Sequence, residues 1–210
     1  MYADTLTGHS AKVMAAKFLG STFIVTGSYD RTLKIWNLKN CTETKFAGSC
    51  CNDLVTVDSF SFISGHIDKK IRFWDVRTAD GTGNDILMQG KITSLDLSKD
   101  GWYLLSCVRD DDTINLLDLR QNRIVRTYRH DNFKVGWEWA RVAFNPSGSR
   151  LAAGSADGSV FIWSINGPLE KVLKDPKGSG ATVTAVSWHP VTSTLASVDR
   201  AKKCTIWSNA

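Results

Sequence analysis

Short apolar segments recur along the 210-residue chain, and polar turns separate each segment from the next. No stretch shows a sustained 3.6-residue period, so the pattern predicts β-strands throughout. In the first repeat the predicted strands are Val13–Phe18, Phe23–Thr26, Leu33–Leu38 and Glu43–Phe46, and the first strands of later repeats are Leu54–Val57, Ile92–Leu97, Arg141–Phe144 and Val183–Trp188.

One motif returns in each group of strands, with a Gly/Ser-rich turn and an Asp ahead of an aromatic or apolar anchor. A period near ~40–45 residues with a Trp-Asp-like ending is typical of WD repeats, each of which folds as one four-stranded blade. The predicted fold class is therefore all-β, a WD40 β-propeller. Its anchors are Trp36, Trp74, Leu117, Trp163 and Trp207.

The strand count predicts a partial propeller with about five blades' worth of strands. We expect an outer strand at 1–8, blades at about 9–47, 48–90, 91–130 and 131–175, and an incomplete blade at 176–210. Closure by the N-terminal strand as a five-bladed ring is one alternative, within the range that propellers show. The favoured interpretation is a seven-bladed propeller whose upstream blades are absent from this chain.

Composition changes this picture little. Hydrophobic residues make up 42% and charged residues 22% of the chain, which is ordinary for a globular protein. The net charge of +5 is weak evidence for an acidic partner. Five cysteines without a Cys-x-x-Cys pair argue against a zinc site or a disulfide framework. We expect a reduced compartment, with neither a signal peptide nor a membrane span.

A hydrogen-bonded network is expected inside the first blade. His9, Asp30, Trp36 and a hydroxyl from Thr26 or Ser28 occupy positions from which they could form a buried chain. Ser, His and Asp together also suggest a hydrolase, but Ser28 lacks a Gly-x-Ser-x-Gly elbow. The other histidines lack metal-ligand spacing, and no phosphate-binding glycine loop is present. We therefore expect no catalysis, no metal and no cofactor.

Several stretches resemble the C-terminal propeller of the autophagy-related protein 16-like family. They are Thr5-Leu-Thr-Gly-His-Ser, Phe46-Ala-Gly-Ser-Cys-Cys-Asn-Asp, Ser64-Gly-His-Ile-Asp-Lys-Lys-Ile-Arg-Phe-Trp-Asp, Gly90-Lys-Ile-Thr-Ser-Leu-Asp-Leu and Ala152-Ala-Gly-Ser-Ala-Asp-Gly-Ser. The resemblance implies a cytoplasmic scaffold, peripheral to autophagosomal or endolysosomal membranes. Implied partners are the autophagy conjugation machinery and membrane-associated proteins such as the vacuolar proton ATPase, with possible peripheral membrane contact.

A recognition patch is predicted where turns and strand openings meet on one rim. Asn52 opens a first strand, Ile67 lies in the turn of the same blade, and Lys91 opens the next blade. Loops on a rigid scaffold are where binding usually resides. These three positions also match the recognition face that the family resemblance implies, so we expect an amide, an apolar group and a cation to act together.

A second interpretation starts from two Asp-x-Arg motifs. Trp74-Asp75-Val-Arg77 and Leu117-Asp118-Leu-Arg120 resemble propellers that serve as substrate receptors for a cullin-type ubiquitin ligase. Such short patterns are common in WD repeats, so this function is the alternative. Nucleic-acid binding would need basic and aromatic residues gathered on one face, and the predicted face has mixed charge. We expect no nucleic acid and no small-molecule substrate.

Overall fold

A computed structural model describes residues 5–37, 40–78, 83–176, 178 and 180–208. These residues form nineteen strands, β1 to β19, arranged in five antiparallel sheets. Each sheet takes its strands in chain order, so consecutive strands pair through short turns. The all-β prediction and the blade architecture of a partial WD40 β-propeller are confirmed.

Each sheet is one blade. Blade 1 contains β1 (Val13–Leu19), β2 (Phe23–Ser28), β3 (Thr32–Trp36) and β4 (Cys41–Phe46). Blade 2 contains β5 (Cys51–Thr56), β6 (Ser61–His66), β7 (Lys70–Asp75) and β8 (Ile86–Leu87). Blade 3 contains β9 (Ile92–Leu97), β10 (Tyr103–Val108), β11 (Thr113–Asp118) and β12 (Arg123–Tyr128).

Blade 4 contains β13 (Val142–Phe144), β14 (Arg150–Gly154), β15 (Val160–Ser164) and β16 (Leu169–Leu173). Blade 5 contains β17 (Val183–Trp188), β18 (Leu195–Asp199) and β19 (Cys204–Trp207). The five sheets lie within the predicted ranges 9–47, 48–90, 91–130, 131–175 and 176–210, whose boundaries fall in loops and stay predictions.

Several predicted strand ends differ from the structure by one or two residues, and three expectations differ by more or fall outside the described residues. β5 begins at Cys51, before the predicted Leu54, because Asn52 forms a β-bulge through which polar residues enter the strand. β3 ends at Trp36, and the predicted end at Leu38 lies outside the described residues. Of the outer strand expected at 1–8, residues 5–8 are not in a strand and residues 1–4 lie outside the described residues.

The chain divides into two compact units, Met1–Ile92 and Thr93–Ala210. In the first unit, blades 1 and 2 bury one apolar cluster that includes Leu33, Leu54 and Phe62. In the second unit, blades 3 and 4 share a cluster around Phe133, Phe161 and Trp163, and blades 4 and 5 share one around Val183 and Leu195. Alternating strand residues supply both walls of each cluster.

Glycine sets the distance between blades 1 and 2. A Cβ atom added at Gly27 of β2 would lie 2.4 Å from Cys51 Sγ and 3.2 Å from a methyl carbon of Leu54. Gly154 of β14 occupies the same place in blade 4, where a Cβ atom would lie 2.4 Å from Val183. The first strand of the following blade therefore packs directly on glycine backbone, an approach that a side chain would prevent.

We expect Gly27→Ala to lower the free energy of unfolding by about 1–3 kcal/mol, because the added methyl group overpacks the contact with Cys51. Chemical denaturation followed by tryptophan fluorescence measures the loss. Ala16→Ser is the control, since it adds one heavy atom at an exposed position of β1. Equal stability of the two variants would contradict the close approach of the blades.

Candidate protein-binding surface and its framework

Four side chains in blade 1 form a continuous hydrogen-bonded chain. The Trp36 Nε1–H donates to Thr26 Oγ1 at 2.8 Å, and Thr26 Oγ1 lies 2.7 Å from His9 Nε2. His9 Nδ1 lies 2.7 Å from Asp30 Oδ2. An ionised carboxylate only accepts, so the His9 proton lies on Nδ1 and the Thr26 hydroxyl donates to Nε2. Every polar group in this chain is paired, which fixes the blade in one conformation.

Asp30 also stabilises the turn between β2 and β3. Its carboxylate accepts the backbone N–H groups of Ser10 at 3.0 Å and Thr32 at 2.9 Å, together with the Thr32 hydroxyl at 2.6 Å. Burial opposes ionisation, but the hydrogen bonds from Thr32, His9 and these amides outweigh it. They hold the pKa of the Asp30 carboxyl well below its usual range.

The hydroxyl in this chain belongs to Thr26. The other candidate, Ser28, lies elsewhere: its Oγ donates to the Ala11 carbonyl at 3.3 Å and accepts from the Asp30 N–H at 3.1 Å. Both ring nitrogens of His9 are engaged by Asp30 and Thr26, so a Ser28–His9 nucleophile–base pair does not form. Ser28 instead stabilises the turn.

Blade 2 builds the same chain with a histidine from a different element. The Trp74 Nε1–H donates to Ser64 Oγ at 2.7 Å, and Ser64 Oγ lies 2.7 Å from His66 Nε2. The His66 Nδ1–H donates to the Ser49 carbonyl at 3.1 Å. His66 stands at the end of β6, at the position that Ser28 has in blade 1. The glycine at 48 is only three residues before its first strand, against five for Gly8, so the loop is too short for a second His9.

Sequence reasoning missed His66 and Ser64, although the Gly65-His66 pair and the shorter loop were signals in the sequence. The imidazole of His66 is fully buried. Burial, followed by the positive charge of Arg72, lowers the pKa of His66 to about 4. Asp68, which parallels Asp30, is bound instead by Arg72, with an Nη1–Oδ1 distance of 2.9 Å.

Blade 3 interrupts the pattern. Ser106 of β10 stands where Thr26 and Ser64 stand, but Leu117 replaces the tryptophan. The buried Ser106 hydroxyl has no hydrogen-bond partner among the described residues. The loss of the indole N–H explains this isolated hydroxyl, because no other donor from β11 reaches the position.

The three predicted patch residues are placed differently from one another. Asn52 is 1% exposed, so the expectation of an accessible amide is wrong. As the bulge residue of β5, it turns its side chain inward and donates Nδ2–H to the Ile92 carbonyl at 2.8 Å. Ile67 and Lys91 are half-buried. Asn52 therefore holds the segment beside Lys91, while Ile67 is anchored by its backbone N–H to the Cys50 carbonyl at 3.2 Å.

The second unit carries its own turn-bearing surface. Trp139 is 43% exposed and stacks on Trp137, with ring centroids 5.2 Å apart. The Arg200 guanidinium lies 4.1 Å from the centre of the Trp137 ring, a cation–π contact. Arg109 pairs with Glu138 at 3.3 Å. Aromatic and arginine side chains are the ones that contribute most at protein interfaces.

The two Asp-x-Arg motifs form matching internal pairs. Arg77 Nε donates to Asp75 at 2.9 Å and its guanidinium lies 5.0 Å from the Phe60 ring centre. Arg120 pairs with Asp118 at 2.7 Å and lies 4.6 Å from the Trp102 ring centre. A ligase-receptor function for these motifs stays a prediction.

The part of the chain that the structure describes contains neither a metal-binding cluster nor a helix suited to spanning a membrane. No group of three or more His, Cys, Asp or Glu side chains there could hold a metal ion. Nor does any helix there have the length and apolar character needed to cross a membrane.

Comparison with known proteins supplies the family. The sequence model described as "WD domain, G-beta repeat" matches residues 2–37, 123–164 and 169–208, over half of the chain. The chain belongs to the WD-repeat family. Its repeats are unequal, because blade 2 and most of blade 3 fall outside the matched residues.

Curated proteins similar to this WD-repeat chain include one that is named for autophagy. It is 36% identical to Protein tipD of Dictyostelium discoideum over 97% of the chain and 34% of that protein. It is 39% identical to Autophagic-related protein 16.2 of Caenorhabditis elegans, covering 97% of the chain and 39% of that protein. Protein Atg16l2 of Mus musculus is 43% identical over 80% of the chain and 26% of that protein.

The resemblance to autophagy-related protein 16 is thereby confirmed for this WD-repeat protein. The chain spans roughly a third of the length of these relatives.

Ser64 and Ser106 allow a matched test of the framework. We expect Ser64→Ala to cost about 1–3 kcal/mol, because it leaves the buried Trp74 N–H and His66 Nε2 without a partner. Ser106→Ala removes a hydroxyl that has no partner among the described residues, so we expect it to be neutral or slightly stabilising. Denaturation midpoints measure both, and equal losses would contradict the assignment.

His66 makes stability depend on pH. The unfolded chain protonates this imidazole below about pH 6.5, whereas the folded chain does so only near its lowered pKa of about 4. Stability is therefore complete above pH 6.5 and falls as pH drops to 4, by up to about 1.4 kcal/mol per pH unit.

We expect His66→Gln to flatten this slope, although it also lowers stability at neutral pH. His189→Gln, at an exposed histidine, should keep the slope of the unaltered chain. Urea denaturation at several pH values between 4 and 7 gives the slopes. The same slope in all three proteins would show that His66 is not the titrating group.

Proposed function

We propose that this chain is a non-catalytic protein-interaction scaffold that recruits the autophagy conjugation machinery to membranes. It acts in the cytoplasm, peripheral to autophagosomal or endolysosomal membranes. Its partners are proteins of that machinery and membrane-associated proteins such as the vacuolar proton ATPase. Autophagosome assembly and lipidation of a ubiquitin-like modifier on single membranes are the processes served.

The scaffold role is supported by how the polar constellations are used. His9 and Asp30 are the groups that most resemble catalytic machinery. They are hydrogen-bonded to each other, to Thr26 and Thr32, and to backbone amides. A general base must face the group it deprotonates. These side chains face framework partners instead, and rigid blades with variable turns are the usual design of a binding platform.

The surface that we assign to recognition consists of Ile67 and Lys91, with Asn52 as a positioning residue. The Asn52–Ile92 hydrogen bond of 2.8 Å is the single observation that carries this assignment. This hydrogen bond joins the start of β5 to Ile92, the residue after Lys91. It therefore fixes the cation of Lys91 relative to the blade whose turn carries the apolar side chain of Ile67. Such a surface suits a partly apolar, acidic partner.

Double substitution of Ile67 and Lys91 by alanine tests this surface. We expect at least a tenfold loss of vacuolar ATPase in pull-downs and reduced modifier lipidation, because interface energy concentrates in a few residues. The melting temperature should change little, since half-exposed side chains in turns contribute modestly to folding. The WD-repeat chain is assayed within a full-length autophagy-related 16-like protein.

Lys17→Ala and Val57→Ala form the matched control, because they remove an exposed cation and an exposed apolar side chain elsewhere in the first unit. Asn52→Ala is not diagnostic by itself, since it also breaks a buried hydrogen bond. If the folded Ile67/Lys91 variant recruits the ATPase and supports lipidation as well as the control does, this surface is not the binding site.

A further inference from the structure

Two clefts at equivalent positions lie between neighbouring blades, one in each unit. The first is about 400 Å³ and lies between blades 1 and 2, with Phe23, Ile35 and Val76 in its wall. The second is about 580 Å³ and lies between blades 3 and 4, where Tyr103, Leu116 and Ile165 take the same strand positions. Both volumes fall within the roughly 300–1,000 Å³ of ligand pockets.

The charges in the two clefts differ. In the first cleft Glu43 lies opposite Ile35 on the neighbouring strand, and in the second Arg126 lies opposite Leu116. The charged groups of the first cleft are already paired: Glu43 with Lys45 at 2.6 Å and Arg77 with Asp75 at 2.5 Å. Among the residues described there, every charged side chain that lines the first cleft forms an ion pair.

The second cleft has two cations at its rim, Lys99 and Arg126. Within the described part of the chain neither forms an ion pair, and the Arg126 guanidinium donates only to the Gly167 carbonyl at 3.1 Å. Its two carboxylates differ: Arg120 neutralises Asp118, whereas Asp100 keeps its charge because its partners are neutral donors, so the cleft keeps one net positive charge. Asp118 pairs with Arg120 at 2.7 Å, and Asp100 accepts from the Ser98 hydroxyl at 2.5 Å and the Trp102 N–H at 3.0 Å.

The floor of this second cleft is apolar. Leu116 is 4% exposed, and Tyr103, Phe144 and Ile165 are partly buried against the core of blades 3 and 4. Val125 at the mouth is 42% exposed. An incoming apolar side chain would cover this surface, and the burial of apolar area favours binding.

We propose that the cleft between blades 3 and 4 is a docking site for a linear segment of a partner protein that presents a carboxylate next to a leucine or phenylalanine. The apolar side chain lies against Leu116 and Ile165, and the carboxylate pairs with Arg126 and Lys99. The Arg126 guanidinium has donors for a bidentate contact besides its bond to Gly167. This site goes beyond the proposed function and does not depend on Ile67 or Lys91.

The probe for the test is the peptide acetyl-Glu-Leu-Phe-Glu-amide, titrated into the ¹⁵N-labelled 210-residue chain. We expect the backbone amide signals of Tyr103 and Ile165 to shift. Arg126→Glu, which reproduces the charge of the first cleft, and Lys99→Glu should each weaken binding about tenfold or more, the loss of a charge-assisted contact. Arg123→Glu on the same exposed strand is the matched control and should bind as the unaltered chain does.

Four results would overturn the proposal. The first is a shift confined to residues outside this cleft, and the second is equal binding of acetyl-Gln-Leu-Phe-Gln-amide, which lacks the carboxylates. The third is a shift of Tyr103 with protein concentration alone, which would make a second copy of this chain the occupant. Loss of binding in Arg123→Glu as well would also contradict a specific role for Arg126.

Discussion

Blades 1, 2 and 5 depend on one requirement, that the indole N–H of the tryptophan on their third strand finds an acceptor on the neighbouring strand. Trp36, Trp74 and Trp207 meet it with a hydroxyl on the second strand of their own blades, at 2.8, 2.7 and 2.9 Å. A buried donor without a partner costs more than a hydrogen bond gains. The hydroxyl must therefore be oriented, and in blades 1 and 2 a histidine does this.

Blades 3 and 4 depart from this arrangement in different ways. Leu117 has no side-chain N–H to donate, and the buried Ser106 hydroxyl is left without a hydrogen-bond partner within the described chain. In blade 4 the hydroxyl position is occupied by Ala153, and Trp163 packs among Phe133, Phe161 and Tyr128. Blades 1 and 2 thus hold their tryptophans by polar networks, whereas blade 4 holds Trp163 by stacked, tilted and edge-to-face contacts with other aromatic rings. The polar networks and the aromatic contacts fit the same fold, because strand pairing and the turns set the register of each blade.

The sequence predicts the repeats well because period and strand alternation are local properties. The first strands Ile92–Leu97 and Val183–Trp188 coincide with β9 and β17. It predicts individual contacts less well. Asn52 was expected at the surface, since an amide at a strand opening is ordinarily exposed, but a β-bulge rotates the side chain inward. His66 was overlooked because its role depends on a loop two residues shorter, a signal that emerges from the sequence only when the two blades are aligned residue by residue.

Such differences between equivalent positions locate function better than the shared motif does. The motif is determined by packing and hydrogen bonding inside a blade, whereas a position that lines an inter-blade cleft is under no such constraint. Glu43 and Arg126 occupy the same strand position, but the first is neutralised by the buried Lys45 and the second donates only to a backbone carbonyl. Folding alone would be served by either arrangement. A cation placed beside an apolar floor adds nothing to packing, and desolvating it costs free energy unless a carboxylate arrives. Because Arg126 is exposed, the blade itself does not desolvate it, and this cost arises only when a ligand covers the cleft.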